Sequence, residues 1–422
     1  MKNKVSGFTL VELLAVIVIL AVILVIAVPK ITDTIKNSKI ASFESSAKTI
    51  AAQAEKKKME KEILEDTGSI NCSDVVKLND SDYSSCSITF DGNTAKVNLV
   101  GSGKFEGLQI INGTKDSAKA EEIKAPVYGN AVNYVNGLYA YDASSNGLKK
   151  DNTVDANIRY YGENPNNYVS FNNELWRIIG VFGNNVKLVR KDTLGNLSWD
   201  SSDSSVNSGM GVNEWSQADL KNYLNTMYYG GTSVTCYNDA NNTTTTCPTG
   251  SLNENAKSMI DNHTWATGAV TDSTFTVDVY NSERGSSIGK ICTTNISCND
   301  TVIRTTTWTG HVALPYITDW VYASGEADCD DNFNITDSSN NYICKNSNWM
   351  HYGDTEEDFF QFLSPGTFSA DATRAWGVSG AGKVGNWCIF KVESIFPSIY
   401  LKSNVKIVSG SGTNSDPYTL SI

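Results

Sequence analysis

Apolar side chains run from Phe8 to Val28 with only Thr9 and Glu12 interrupting them. At about 1.5 Å per helical residue, this run predicts a helix roughly 31 Å long, enough to cross a bilayer. After Pro29 the pattern becomes periodic. Ile31, Ile35, Ile40, Phe43, Ala47, Ile50, Ala51, Ala54, Met59 and Ile63 recur every three to five residues, which makes one face of an amphipathic helix. Lys36, Lys39, Glu44, Lys48 and Glu55 take the other face, ahead of the charged run 56–62. The spacing predicts one helix over 8–64, bare in its first half and packed in its second, with Gly68 as its stop. Pro29 removes a backbone donor and is expected to kink or locally melt it.

Beyond the helix the period drops to two. Residues 87–90, 95–100 and 104–111 alternate around tight turns at Asp91-Gly92-Asn93 and Gly101-Ser102-Gly103, which predicts a three-stranded antiparallel meander. Polar residues 113–126 read as a linker. From 127 to 422 strand patterns dominate, clearest at 174–182 and 185–190, with amphipathic helices expected at Ser216–Met227, capped by Ser216, and at 253–261. The expected fold class is α+β. A leader (1–7), a stem helix (8–64, with 8–28 as the apolar core) and a small β-head (65–112) lead through the linker to a large β-rich module (127–422).

Charge and aromatic content sharpen that boundary. Residues 1–126 carry 16 basic and 16 acidic groups, whereas 127–422 carry 18 and 30 and so hold the whole net charge of −12. All nine tryptophans lie beyond residue 175. An acidic body repels phosphates, so nucleic-acid binding by this module is not expected.

The cysteines fall in neighbouring couples, Cys72/Cys86, Cys236/Cys247, Cys292/Cys298 and Cys329/Cys344, with Cys388 left over. Eight cysteines permit 105 pairings, yet local staples across short polar loops are the simplest reading, and they require an oxidising exterior. Zinc is the alternative, although no Cys-x-x-Cys knuckle is present. Cys388, in Trp-Cys-Ile-Phe, reads as a buried thiol.

The N-terminus resembles a type IV prepilin. The likeness rests on the Lys2/Lys4 leader, Gly7, the run Phe8-Thr9-Leu10-Val11-Glu12-Leu13-Leu14, and Pro29 closing the apolar stretch. A signal peptide has a shorter core and a small-x-small cleavage site, and a plain anchor gives no reason for this motif. The resemblance implies a cytoplasmic leader cut between Gly7 and Phe8 by a prepilin peptidase, methylation of the new Phe8 amine, and assembly with other pilin subunits. An acid inside the apolar run costs about 2.5–3.5 kcal/mol near a bilayer centre and less near its edge. Glu12 therefore calls for a partner, and the Phe8 amine of a neighbouring subunit is a cation at the same depth.

The module offers weaker signals. Leu175-Trp176-Arg177-Ile178, Asn213-Glu214-Trp215, Leu314-Pro315-Tyr316-Ile317, Phe362–Gly366 and Phe396–Leu401 are similar to bacterial surface modules associated with a C-type-lectin-like fold, distantly related to formylglycine-generating enzymes. These motifs speak to a core. No active-site cysteine pair of those enzymes is recognisable, and another β-sandwich-like or α+β arrangement stays open. Gly377–Lys383 nearly spells a phosphate loop, but Val384 and a strand follow, so a β-turn is expected. His263, His311 and His351 have no second ligand at helical spacing, and no Gly-x-Ser-x-Gly elbow exists. Asp328–Asp337 collects oxygens that calcium uses, but lacks the glycine and closing glutamate of a helix-loop site, so a solvated loop is expected. The tryptophans could stack on sugars, yet most alternate with aliphatics as core residues do.

The expected protein is a minor or tip pilin, neither enzyme nor cofactor carrier, with no resident metal. It would sit in the plasma membrane as a single-pass protein before assembly and on the cell surface afterwards. The C-terminal sequence carries no apolar tail or wall-sorting signal, so retention is expected from the N-terminal helix. The module's partner would be a glycan or protein. The alternatives are a major pilin coat, a pseudopilin of a secretion or DNA-uptake system, and a membrane-anchored extracellular enzyme.

Overall fold

The computed structural model describes residues 10–64, 68–77, 79, 82–123, 125–270, 275–285, 302–335, 343–352 and 360–422, with the backbone alone for 10–33, 84 and 360–363. The described residues divide into two compact units. One reaches to Ala125 and includes Ala140–Asp142; the other comprises Pro126–Tyr139 and Ala143–Ile422.

In the first unit the helix α1 spans Leu10–Ile63. Among its described side chains, the periodic face is buried at Phe43, Ala47, Ile50, Ala51 and Ala54, which are in the core, whereas Ile35, Met59 and Ile63 are exposed. A small sheet covers a few turns of a helix this long and no more. That sheet runs β1 (Tyr83–Asp91), β2 (Thr94–Gly101), β3 (Leu108–Gly113), β4 (Glu121–Glu122), all antiparallel. The expected meander thus gains a fourth strand, and β4 falls inside the stretch read as linker, so that stretch is not linker throughout. Strand β2 alternates as its sequence does, sending Ala95, Val97 and Leu99 into the core beside Phe43 and Phe105, whose rings lie 5.2 Å apart.

Polar side chains of α1 fasten the sheet's backbone. Glu55 accepts from the Ala95 N–H (3.2 Å) and from Lys115 Nζ (2.8 Å), and the Lys115 hydrogen bond holds its carboxyl below the usual range. Glu44 accepts from the Ala120 N–H at 2.9 Å. Cys72 and Cys86 are bonded, tying the segment after α1 to β1.

The second unit has one continuous core and two main sheets. Its early strands are β5 (Gly129–Asn130), β6 (Leu148–Lys150), β7 (Ile158–Tyr160), β8 (Tyr168–Phe171), β9 (Glu174–Phe182) and β10 (Asn185–Arg190). The larger sheet runs Val312–Ala313, Ser398–Tyr400, β10, β9, β8, Tyr418–Ser421, Lys406–Ser409, β5, with β6 and β7 paired off β9. Both ends of the unit therefore meet in one sheet. The β8–β9 hairpin turns through Asn172 and Asn173, both at positive φ (57° and 60°), a conformation asparagine tolerates. The second sheet runs Asn196–Ser198, Val392–Ser394, Phe360–Phe368, Arg374–Ser379, Val384–Cys388, with Ala269–Val270 parallel to Phe360–Phe368.

The helix expected over Ser216–Met227 is interrupted. A tight turn at Trp215–Gln217 precedes a helical turn at Asp219–Asn222, which widens into a π turn at Tyr223–Tyr229. Ser216 is not the cap. The Glu214 carboxylate accepts the Ser216 N–H, while Asp200, from a distant loop, accepts the Asp219 N–H at 3.1 Å. The apolar face was legible nonetheless, since Trp215, Leu220, Tyr223 and Leu224 are all buried. The helix Glu254–Met259 is capped by Asn253, which accepts from the Ala256 N–H.

Cys236–Cys247 and Cys329–Cys344 are bonded, and the former closes a small hairpin, Cys236–Asp239 with Thr243–Thr245. The expected pairing of Cys292 with Cys298 is not among the observed bonds, because Cys292 and Cys298 both lie outside the described residues. Three of the four expected couples are therefore seen, and the couple of Cys292 and Cys298 stays an expectation from the sequence. Replacing Cys236 and Cys247 together by serine is expected to destabilise this unit by roughly 2–3 kcal/mol. Urea unfolding followed by tryptophan fluorescence checks it, because every tryptophan lies between residues 176 and 387.

Candidate functional site

The N-terminal segment is the first candidate. Gly7 and Phe8 lie outside the described residues. Glu12 and Pro29 lie in α1, whose backbone stays helical across Pro29 with no melted turn. Pro29 has no N–H to offer the Val25 carbonyl. Among the residues searched for spans, no helix is long and apolar enough to cross a membrane. The apolar run 8–28 is a property of the sequence.

The second candidate is a charge cluster inside the C-terminal unit. Its position follows from strand register. Arg159 on β7 pairs with Gly180 on β9, which pairs with Lys187 on β10, which pairs with Tyr400. Directly opposed residues share a face, so this row projects two cations to the same side with no side chain between them. A Cβ at Gly180 would meet the Ile158 carbonyl oxygen at 2.2 Å, so only glycine lets β7 pass so close. Asp319, in the helix Ile317–Tyr322, fills the gap. Its Oδ1 accepts from Arg159 Nη1 at 2.7 Å and its Oδ2 from Lys187 Nζ at 2.5 Å. Asp151 accepts from Arg159 Nε at 2.5 Å. All four side chains are essentially inaccessible.

Burial alone would raise Asp319, but the charges of Lys187 and Arg159 hold it below the usual carboxylate range. Burial draws Lys187 down to about 8. Glu283, fully buried at the end of the helix Thr276–Glu283, is pushed up by burial to about 7. Its Oε2 accepts from Arg284 Nη1 (3.3 Å) and Thr318 Oγ1 (3.4 Å), and its Oε1 has no hydrogen-bond partner among the described residues.

Because folded Glu283 holds its proton more tightly than the unfolded chain does, its contribution is complete below pH 4.5 and lost as pH rises through about 7. Glu283→Gln is expected to remove that decline. Urea midpoints across this window, read by tryptophan fluorescence, check it.

Among the cavities that open on the unit's surface, two adjoin buried cations. One, of about 760 Å³, is lined by Tyr168, Arg177, Lys191, Trp349, His351 and Tyr352 among others. The buried Arg177 guanidinium lies between the Tyr168 and Trp349 rings, at 4.1 and 4.6 Å. It donates to Asn167 Oδ1 and to the Trp349 and Pro165 carbonyls, and burial lowers its pKa. The other, of about 430 Å³, adjoins the charge cluster and is lined by Tyr280, Tyr316, Tyr400, His263 and Arg284 among others.

Comparison with known proteins decides between these candidates at one end of the chain. Residues 2–28 match the prokaryotic N-terminal methylation motif. The protein carries a type IV prepilin-like signal and is type IV pilin- or pseudopilin-like. That signal implies processing by a prepilin peptidase and assembly with other pilins, from a membrane-anchored precursor to a surface filament. No curated protein matches the chain, and no solved structure does. The C-type-lectin-like resemblance gains no support from them.

The remaining positions singled out in this pilin-like chain have structural surroundings. Six tryptophans are fully buried, Trp349 nearly so, and Trp387 is the most exposed of the nine at 36%. His263 stacks on Tyr400 (3.7 Å) and meets Asp261 at 3.2 Å, His311 stacks on Tyr229 (4.0 Å), and His351 packs edge-on to Trp320. Gly377–Lys383 spans a hairpin between antiparallel strands, with the Gly382 N–H donating to the Ser379 carbonyl. In 328–335, Asp331 accepts from Asn152 and Tyr322, and among the described residues no group of three or more metal-ligating side chains forms. Residues 336 and 337 lie outside the description. Cys388 is half-buried, not enclosed as its apolar neighbours suggested, because it ends an edge strand of the second sheet.

The buried charges were missed. Lys187 stands between Val186 and Leu188 in a strand, and such a residue reads equally well as the polar member of an alternating surface strand.

Proposed function

We propose that this protein is a minor, tip-located type IV pilin whose residues 127–422 form a binding module carried on the filament end, with no catalytic role. The supporting observation is the pairing of a prepilin-like N-terminus with a second unit of nearly three hundred residues that has its own core and two main sheets. A domain of that bulk on every subunit crowds a helical lattice, whereas one at the tip meets no such limit. The surface cavity of about 760 Å³ beside Arg177, lined also by Lys191, Asn348, His351 and Tyr352, supports a small polar ligand. A platform of exposed tryptophans does not supply the contact, since most are core.

Immunogold labelling with antibody against residues 127–422 tests the placement. Gold at filament ends is expected; gold along the shaft indicates a major pilin coat, and none outside the envelope indicates a pseudopilin. Glycan-array binding by the detergent-solubilised full chain tests the module. Mass spectrometry of the mature N-terminus is expected to begin at N-methylated Phe8, and an intact leader overturns the processing step.

A further inference from the structure

Lys187 and Asp319 are 132 residues apart in the chain, yet the fold brings amine and carboxylate into direct contact. Nζ lies 2.5 Å from Oδ2, and neither side chain reaches solvent. The amine is ringed by Tyr316 (4.0 Å), Tyr400 (5.3 Å), Trp265 (5.4 Å) and Phe182 (5.5 Å). Arg159 Nη1 and the Tyr316 N–H fix the carboxylate from its other sides, at 2.7 and 2.9 Å. Glu283, whose Oε2 meets the hydroxyl of the residue preceding Asp319, is fully inaccessible and has an oxygen with no hydrogen-bond partner among the described residues.

We propose that Lys187 and Asp319 condense into an intramolecular isopeptide bond, with Glu283 relaying the protons. Nζ attacks Cγ, the Nζ–Cγ bond forms and the Cγ–Oδ2 bond breaks. Two protons leave Nζ and depart with Oδ2 as water, so ammonium plus carboxylate become amide plus water with no oxidant, reductant or co-reactant. Arg159 faces Oδ1, where the tetrahedral intermediate concentrates negative charge. The aromatic wall excludes the water that would hydrolyse the product. Burial supports the same chemistry from the acid–base side, drawing Lys187 towards the free amine and keeping a proton on Glu283 near neutrality. The product is a covalent tie between β10 and the helix Ile317–Tyr322, across sheet and helix layers that a pulling force on a filament-borne domain would otherwise separate.

Mass spectrometry of the full mature chain, with disulfides reduced, tests this directly. The expected mass is one water below that of N-methylated residues 8–422, with peptides 178–190 and 305–345 joined after trypsin digestion and Lys187 uncut. A mass without the deficit, or the two peptides recovered separately, overturns the bond, whatever the protein's role on the filament. Lys187→Arg is expected to restore the water. Glu283→Gln, folded by circular dichroism, is expected to restore it too; a Glu283→Gln chain that still lacks the water overturns the relay and leaves the bond standing.

Discussion

Glu12→Val is expected to give a subunit that is cleaved and held in the membrane but absent from filaments. Valine removes an acid that costs about 2.5–3.5 kcal/mol near a bilayer centre, so the variant is at least as stable a membrane resident as the parent. The loss appears on assembly. In a packed apolar fibre core the mature Phe8 amine of each subunit needs a counter-charge, and Glu12 lies four residues along the sequence from it. A buried charge stripped of its partner costs about 3–5 kcal/mol, which corresponds to a drop in incorporation of at least a hundredfold. Immunoblots of sheared surface filaments against membrane fractions measure it. Incorporation at the parental level would end this account of docking.

Arg159→Met is the second large effect expected, this time on the C-terminal unit. Methionine approximates the volume of the arginine stem but leaves Asp151 buried without its cation. Breaking a buried ion pair from one side costs about 3–5 kcal/mol, a large fraction of a domain's whole stability. The deficit carries a pH signature. In the parent, burial alone would raise Asp151, but the charge of Arg159 and the hydrogen bonds from Arg159, Thr153 and Asn157 keep it below the usual range. Its contribution is therefore complete above the ordinary carboxylate pKa and lost as pH falls below it. With the guanidinium gone, burial dominates and the Asp151 carboxylate takes up its proton at higher pH, so the variant recovers relative to the parent on acidification. Urea unfolding followed by tryptophan fluorescence is expected to show a smaller gap at pH 5 than at pH 7.

Both arguments depend on charges in apolar surroundings, yet one could be read from the sequence and the other could not. Glu12 stands out because everything near it in the chain is apolar, and a local pattern suffices to show the conflict. Lys187 has the same kind of environment, but Tyr316, Tyr400, Trp265 and Phe182 are brought around it by strand pairing and by a helix more than a hundred residues away. In a half-buried strand a lysine between two aliphatics is the ordinary surface pattern, so nothing local marks it. The interrupted helix after Trp215 shows the same limit. Its apolar face was visible, whereas its start at Asp219 is set by the Asp200 carboxylate, a partner that propensity does not register.

The sequence alone determined the long N-terminal helix, its apolar first half, its processing motif and the two strands at 174–182 and 185–190, because helix and strand periods and a contiguous motif are properties of neighbouring residues. Only the tertiary structure decided which turns of α1 the head covers, that residues 129–130 and 418–421 close one sheet, and that four charged side chains meet where no water reaches. Those outcomes depend on register between distant strands and on the shape of the space left between them, and a linear pattern encodes neither.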